Sequence, residues 1–197
     1  MIRDLLSAPN QLTLLRLSFV PFVIITIFDH HYGWALVIFL AAGVSDALDG
    51  LLARALHQRT QLGEYLDPIA DKLLLSTLFI VLSVVQKMPW RVTVLVLTRD
   101  IFILVIAALL YTVTSYRDFR PSMFGKANTL AQITAVVAVL AYEVYPQTWV
   151  WYARRVGLWT TVVMTLASGI HYALRVSAGL RRGEAPAAAP TTPPPAG

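Results

Sequence analysis

Cysteine is absent from this 197-residue chain. Neither a disulfide framework nor thiolate metal ligands are therefore available to it. Charge is scarce too: 14% of the residues are Asp, Glu, Lys or Arg, where a soluble domain carries about 25%. Apolar residues make up 57%, above the roughly 45–50% of a soluble domain, and the mean hydropathy is +0.63. These shortages exclude an ordinary soluble domain.

What is present in their place is long apolar stretches. A membrane span takes about 20 such residues, so six spans and short loops use nearly the whole chain. The expected fold is all-α, an integral membrane bundle of six transmembrane helices. The spans are expected over 11–28, 33–55, 68–85, 90–113, 126–145 and 156–176. Residues 1–9 (MIRDLLSAP) read as a short N-terminal interfacial helix. Their weak basic character and the lack of an A-x-A site argue against a signal peptide. Residues 1–182 form the expected membrane domain. The tail 183–197 (GEAPAAAPTTPPPAG) is rich in Pro and Ala, has too little bulky apolar content to pack, and is expected to be disordered.

The net charge of +5 is spread along loop ends, which fits membrane orientation better than nucleic-acid binding. With a cytoplasmic N-terminus, Arg3, Arg54, Arg59, Arg117, Arg120, Lys126, Arg175, Arg181 and Arg182 lie inside, while Lys87, Arg91, Arg154 and Arg155 lie outside. Trp34, Trp90, Trp149, Trp151 and Trp159 all fall near outer ends, as an aromatic belt would place them. Arg154 and Arg155 stand against the charge bias. His30, His31 and His171 have no partner at metal-ligand spacing and read as structural.

The stretch DALDGLLARALHQRTQLGEYLDPIAD organises the chain. Asp46 and Asp49 are spaced i, i+3, and Asp67 and Asp71 are spaced i, i+4. On helices, each spacing puts both carboxylates on one face. Ionisable groups beside apolar spans need a cavity, a partner or an ion. Two carboxylate pairs brought together repel unless a cation sits between them, and an all-oxygen cluster suits Mg²⁺ or Mn²⁺. Asp46, Asp49 and Asp67 are candidate ligands of one ion or a pair. Gly50 and Ala53 are small enough for a nucleotide to approach the backbone. Gly63 would loosen the loop between the pairs, and Arg54 can grip a phosphate bidentately. Asp71 is a candidate acceptor for the proton of an attacking hydroxyl. The bland alternative makes these aspartates solvated helix ends or partners of Arg54 and Lys72.

The pattern Asp46-x2-Asp49-Gly50-x2-Ala53-Arg54-x8-Gly63-x3-Asp67-x3-Asp71 resembles the signature of the CDP-alcohol phosphotransferase family without a departure. The segment PNQLTLLR (9–16) is similar to the N-terminal segment of the phosphatidylglycerophosphate synthase branch. The resemblance implies a CDP-linked donor held by Asp46, Asp49, Gly50, Ala53, Arg54, Gly63 and Asp67. It implies a metal among Asp46, Asp49, Asp67 and Asp71, with Asp71 as base. It also implies a homodimer, and phosphatidyl transfer from CDP-diacylglycerol with release of CMP in phospholipid biosynthesis. The expected setting is a bacterial-type inner membrane with the active site on the cytoplasmic side.

Arg99 and Asp100 (VLTRDIFIL) are charges within the fourth span and need a reason there. Arg99 either forms a local ion pair, pairs with the aspartate cluster, or contacts an acceptor phosphate. Lys126, in PSMFGKANTLAQ (121–132), is either a membrane anchor or, with Arg120 and Arg99, part of an anion pocket. Both segments resemble the phosphatidylglycerophosphate synthase and cardiolipin synthase branch. That implies a glycerol-based acceptor, glycerol 3-phosphate or phosphatidylglycerol. Inositol phosphate and serine are alternative acceptors. A divalent-cation transporter is the reading from a different class, but its carboxylates would be spread through the depth of the bundle. A non-catalytic membrane scaffold would not need the cluster at all.

Overall fold

The computed structural model describes residues 8–55, 61–113 and 123–183, with side chains described over 16–45, 71–106 and 123–177. Among the described residues the fold is all helical. Six helices follow one another: α1 Ala8–Phe28, α2 Tyr32–Ala55, α3 Gln61–Val84, α4 Trp90–Val113, α5 Met123–Val144 and α6 Thr148–Gly183.

The connections explain the boundaries. His30 and Gln86 hold φ near 60°, the left-handed turn that ends a helix. His31 N–H then bonds back to Thr26 O at 2.8 Å, and Lys87 N–H to Leu82 O at 2.8 Å. These bonds satisfy carbonyls that α1 and α3 would otherwise leave open. Pro89 stands directly before α4, and Pro146 follows the end of α5 by two residues. A proline biases the residue before it away from helical geometry.

Short connections over 29–31, 85–89 and 145–147 join α1 to α2, α3 to α4 and α5 to α6. α1 packs against both α2 and α3, α5 against α2, α3 and α6, and α4 against α3 and α6. The core sits around Leu78, Phe79 and Leu82 of α3, with Val23 and Ile27 of α1, Phe39 of α2, and Val136 and Val139 of α5. α5 and α6 lie especially close. A Cβ on Gly157 would stand 3.3 Å from Ala135 Cα. Thr161 Oγ1, which also bonds within α6, donates across the interface to Ala131 O at 3.0 Å. Small residues and hydroxyl bonds of this kind bring helix backbones together where apolar burial alone gives little drive.

The expected spans over 33–55 and 90–113 match α2 and α4 within a residue. Two expectations need correction. α3 starts at Gln61, not at Pro68, so residues 61–66 are helical rather than loop. Gln, Leu and Glu are good helix formers, and polarity alone did not mark a break. α6 runs 36 residues, beyond the expected 156–176 at both ends. At 1.5 Å per residue it rises roughly 54 Å, well past a hydrocarbon core of about 30 Å. The proposed interfacial helix falls mostly on residues 1–7, outside the described residues, while Ala8 and Pro9 open α1. Among the described residues, α5 is the one helix long and apolar enough by itself to cross a membrane.

Candidate active site

α2 carries Asp46, Asp49, Gly50, Ala53 and Arg54 in its last turns. α3 carries Gly63, Asp67 and Asp71 in its first turns. The two carboxylate pairs are therefore on helices, as their spacing requires. α1 packs against both of these helices. Asp71 is the member of the set whose side chain is described.

Asp71 Oδ1 accepts a hydrogen bond from Arg16 Nη1 at 2.6 Å. Arg16 is buried (3% exposed) and Asp71 is 43% exposed. The cation thus comes from inside the bundle, on α1, and holds a carboxylate that faces outward. A charge-assisted bond this short fixes the carboxylate's orientation. Arg16 closes the PNQLTLLR segment, and its partner lies 55 residues away.

The residue after Asp71 begins a second network. Lys72 Nζ bonds Asp100 Oδ2 at 2.7 Å, and Arg99 Nη1 bonds Asp100 Oδ1 at 2.7 Å. Arg99 Nη2 also donates to Ser168 Oγ. The stem of Arg99 lies along Gly169, where a Cβ would be 3.9 Å from Arg99 Cγ. Asp100 is therefore the hub. It joins α3 to α4, and Arg99 carries the link on to α6. Of the sequence-level alternatives for Arg99, the local ion pair is formed. Lys72 pairs with Asp100 rather than with a member of the aspartate motif. Two cations share one carboxylate, so the network keeps one net positive charge.

A buried polar seam continues along α5 and α6. Thr165 Oγ1 donates to Asn128 Oδ1 at 2.9 Å. Asn128 is fully buried and Gln132 is 1% exposed. Among the described residues, neither end of the Gln132 amide has a hydrogen-bond partner. Lys126 is exposed in the first turn of α5, and Arg120 lies outside the described residues.

Sequence reasoning quoted the segments holding Arg16, Asn128 and Gln132 but gave these residues no role. It missed Ser168 and Thr165. The usable signal was the spacing of Thr161, Thr165 and Ser168, which places three hydroxyls on one face of α6.

The geometry thus defines a helical bundle with paired acidic residues at one end, beside a part-buried cationic network. A family model described as CDP-alcohol phosphatidyltransferase matches residues 6–167. The chain belongs to that family. A probable phosphatidylglycerophosphate synthase of Mycobacterium tuberculosis is 35% identical over 188 residues, covering 88% of this chain and 84% of that protein. The CDP-diacylglycerol–glycerol-3-phosphate 3-phosphatidyltransferase of Salmonella choleraesuis is 32% identical over 173 residues, covering 84% and 92%. Cardiolipin synthase (CMP-forming) of Homo sapiens is 32% identical over 157 residues, 71% of this chain. The chain spans about half the length of that human protein (52%).

Proposed function

We propose that this protein transfers a phosphatidyl group from CDP-diacylglycerol to a glycerol-based acceptor and releases CMP. The acceptor is glycerol 3-phosphate or phosphatidylglycerol. The observation that carries the assignment is the adjacency of Asp71 and Lys72 on α3. One residue carries a carboxylate held at 2.6 Å by a buried arginine. The next enters a network with one net positive charge, through Asp100 to Arg99. A hydroxyl next to a phosphate in the acceptor matches a carboxylate next to a cationic cluster in the enzyme.

In this reading the acceptor hydroxyl attacks the lipid-bearing phosphorus. The bond from that phosphorus to the CMP oxygen breaks, and Asp71 takes the hydroxyl proton. Arg120 and Lys126, with the one net positive charge of the Lys72–Asp100–Arg99 network, draw in the acceptor phosphate. Asp49, Gly50, Ala53, Arg54, Gly63 and Asp67 hold the CDP moiety. The donor set of Asp46, Asp49, Asp67 and Asp71 is all oxygen, which fits Mg²⁺ or Mn²⁺. Such an ion, when bound, neutralises charge on the pyrophosphate.

The helices are proposed to cross a membrane, with the aspartate end on the cytoplasmic side. Exposed side chains such as Phe22, Leu40, Ile80, Leu104, Leu130 and Ile170 support this. Apolar patches on that scale need a lipid or protein partner. The protein is further proposed to work as a homodimer, as the family resemblance implies. The test is CMP release by the purified protein in detergent, with CDP-diacylglycerol, Mg²⁺ or Mn²⁺, and one acceptor at a time. Metal-dependent release with glycerol 3-phosphate or phosphatidylglycerol is expected, and Asp71→Asn should abolish it while leaving CDP-lipid binding largely intact. Release with serine or inositol 1-phosphate alone would refute the acceptor assignment.

A further inference from the structure

The end of the bundle opposite the aspartates holds a cleft between α4 and α6. The helical rise of α3 from Asp71 to Val84 puts it roughly 20 Å from the reaction centre. The elements there are tied together firmly. Arg154 Nη2 donates to Lys87 O at 2.7 Å and its guanidinium lies 5.1 Å from the centre of the Tyr142 ring. Lys87 in turn pairs with Glu143 at 2.7 Å. Arg154, one of the two arginines that defied the charge bias, thus fastens α6 to the α3–α4 connection.

Arg91 and Arg155 are exposed and, together with Arg154, line a cleft of about 580 Å³; the Arg155 guanidinium lies 5.2 Å from the centre of the Trp151 ring, a contact that leaves its charge free for an anion. That volume is in the range of small-molecule sites, about 300–1,000 Å³. Arg91 is the second residue of α4, at the membrane-edge end of the cleft. Leu95 follows one turn deeper, and Leu158 and Val162 continue the opposite wall on α6. Basic groups at the end and an aliphatic channel running inward describe the complement of an amphiphile with an anionic head.

We propose that this cleft binds an anionic diacyl phospholipid. Its phosphate sits against Arg91 and Arg155, and one acyl chain lies along Leu95, Leu158 and Val162. Charge decides the occupant. A second copy docked here about a two-fold axis would set Arg91 and Arg155 against their own equivalents, and like charges facing each other disfavour a contact. Free phosphate would leave the aliphatic walls uncovered. The proposal rests on the membrane-spanning reading above, but the site is separate from the transfer chemistry.

The experiment uses the full-length protein in detergent micelles, titrated with brominated-chain phosphatidylserine or phosphatidylcholine, with tryptophan fluorescence as the readout. Trp151 and Trp159 line the cleft, so a bromine inside it quenches them. Wild-type protein is expected to be quenched at a mole fraction about tenfold lower for the anionic lipid, since basic residues near an anionic surface each add appreciable attraction. Arg91→Gln with Arg155→Gln should bring the two lipids together. Leu95→Phe should weaken quenching by both. Equal quenching of the wild type, or a preference that survives both arginine substitutions, overturns the proposal. So does a disulfide-linked dimer from Leu95→Cys, which is diagnostic because the chain has no other cysteine. CMP release is read on the same samples. An active protein without lipid preference sinks this proposal alone. Selective quenching of an inactive protein supports the lipid site and removes the transferase reading.

Discussion

Arg16→Ala is the substitution that separates a positioning role from a packing role. Arg16 sits on α1, is 3% exposed, and holds Asp71 Oδ1 at 2.6 Å. A hydrogen bond to a charged group contributes about 1.5–3 kcal/mol net. Breaking a fully buried ion pair costs about 3–5 kcal/mol. Asp71 is 43% exposed, so water replaces part of what the guanidinium supplied, and the smaller range applies. If that energy serves to orient Asp71 toward the hydroxyl, its loss appears in kcat. At about 1.4 kcal/mol per decade, the fall is roughly ten- to a hundredfold.

The assay is CMP release at saturating donor and acceptor, with a thermal melt of each variant beside it. Arg16→Lys keeps a cation on α1 but gives up the planar fork, and should recover most of the loss. The cycle with Asp71→Glu, which keeps a carboxylate but moves it by one methylene, is the sharper test. If Arg16 acts through Asp71, Arg16→Ala should cost much less in the Asp71→Glu background than in the wild type, because the two are one unit. Additive losses, or a rise in KM with kcat unchanged, would refute the reasoning. They would leave Arg16 as a buried structural cation.

Two further predictions concern stability. Gly157→Ala should lower the melting temperature, with a cost of about 1 kcal/mol, because its Cβ meets the backbone of α5 at 3.3 Å and overpacking outweighs the better helix propensity of Ala. Gly43→Ala is the matched control: nothing lies within 4 Å of its Cβ, so it should leave the melt unchanged or raise it. The Lys87–Glu143 pair should be visible in the pH dependence of stability. The side-chain hydrogen bond with Glu143 raises the Lys87 pKa above its ordinary 10.5, against an opposing effect of burial. A raised lysine pKa gives stability that is fully present below 10.5 and lost as pH climbs through the higher folded value. The melting difference between wild type and Lys87→Met should therefore be flat from pH 7 to 10 and shrink above that. A difference that grew with pH would contradict the pair.

Much of the bundle was legible because apolar runs are long and loops are short. α2 and α4 were readable nearly to the residue, since each opens after a short turn and the hydropathy of the sequence changes abruptly at their ends. α3 and α6 were not, because hydropathy marks where a chain is apolar and not where its helix stops. The aspartate spacing and the family were also readable, since fixed spacing along one chain is what a sequence records. Partnership across helices is not recorded that way. Nothing in the order of residues says that Arg16 reaches Asp71, or that Arg99 reaches Ser168 on a helix 69 residues later. Asn128 and Gln132 share that difficulty. Their burial follows from how closely α5 and α6 approach, and Gly157 and Thr161 on α6 set that approach.

The two ends of the molecule use arginine for opposite purposes. At the aspartate end, Arg16 is buried and Arg99 half-buried, and their hydrogen bonds go to Asp71, Asp100 and Ser168. A guanidinium there has its charge offset, and the network of Lys72, Asp100 and Arg99 is left with one net positive charge. At the far end Arg154 also turns inward, to a backbone carbonyl and a tyrosine ring. Its place against the charge bias is thereby accounted for by structure alone. Arg91 and Arg155 are left without a carboxylate among the described residues, at the mouth of an aliphatic cleft. Arg155 also lies over the Trp151 ring, 5.2 Å from its centre, a contact that leaves its charge in place. Cations beside apolar surface, with no carboxylate to pair with among the described residues, favour an external anion, and a phospholipid headgroup supplies one wherever such a surface meets a bilayer.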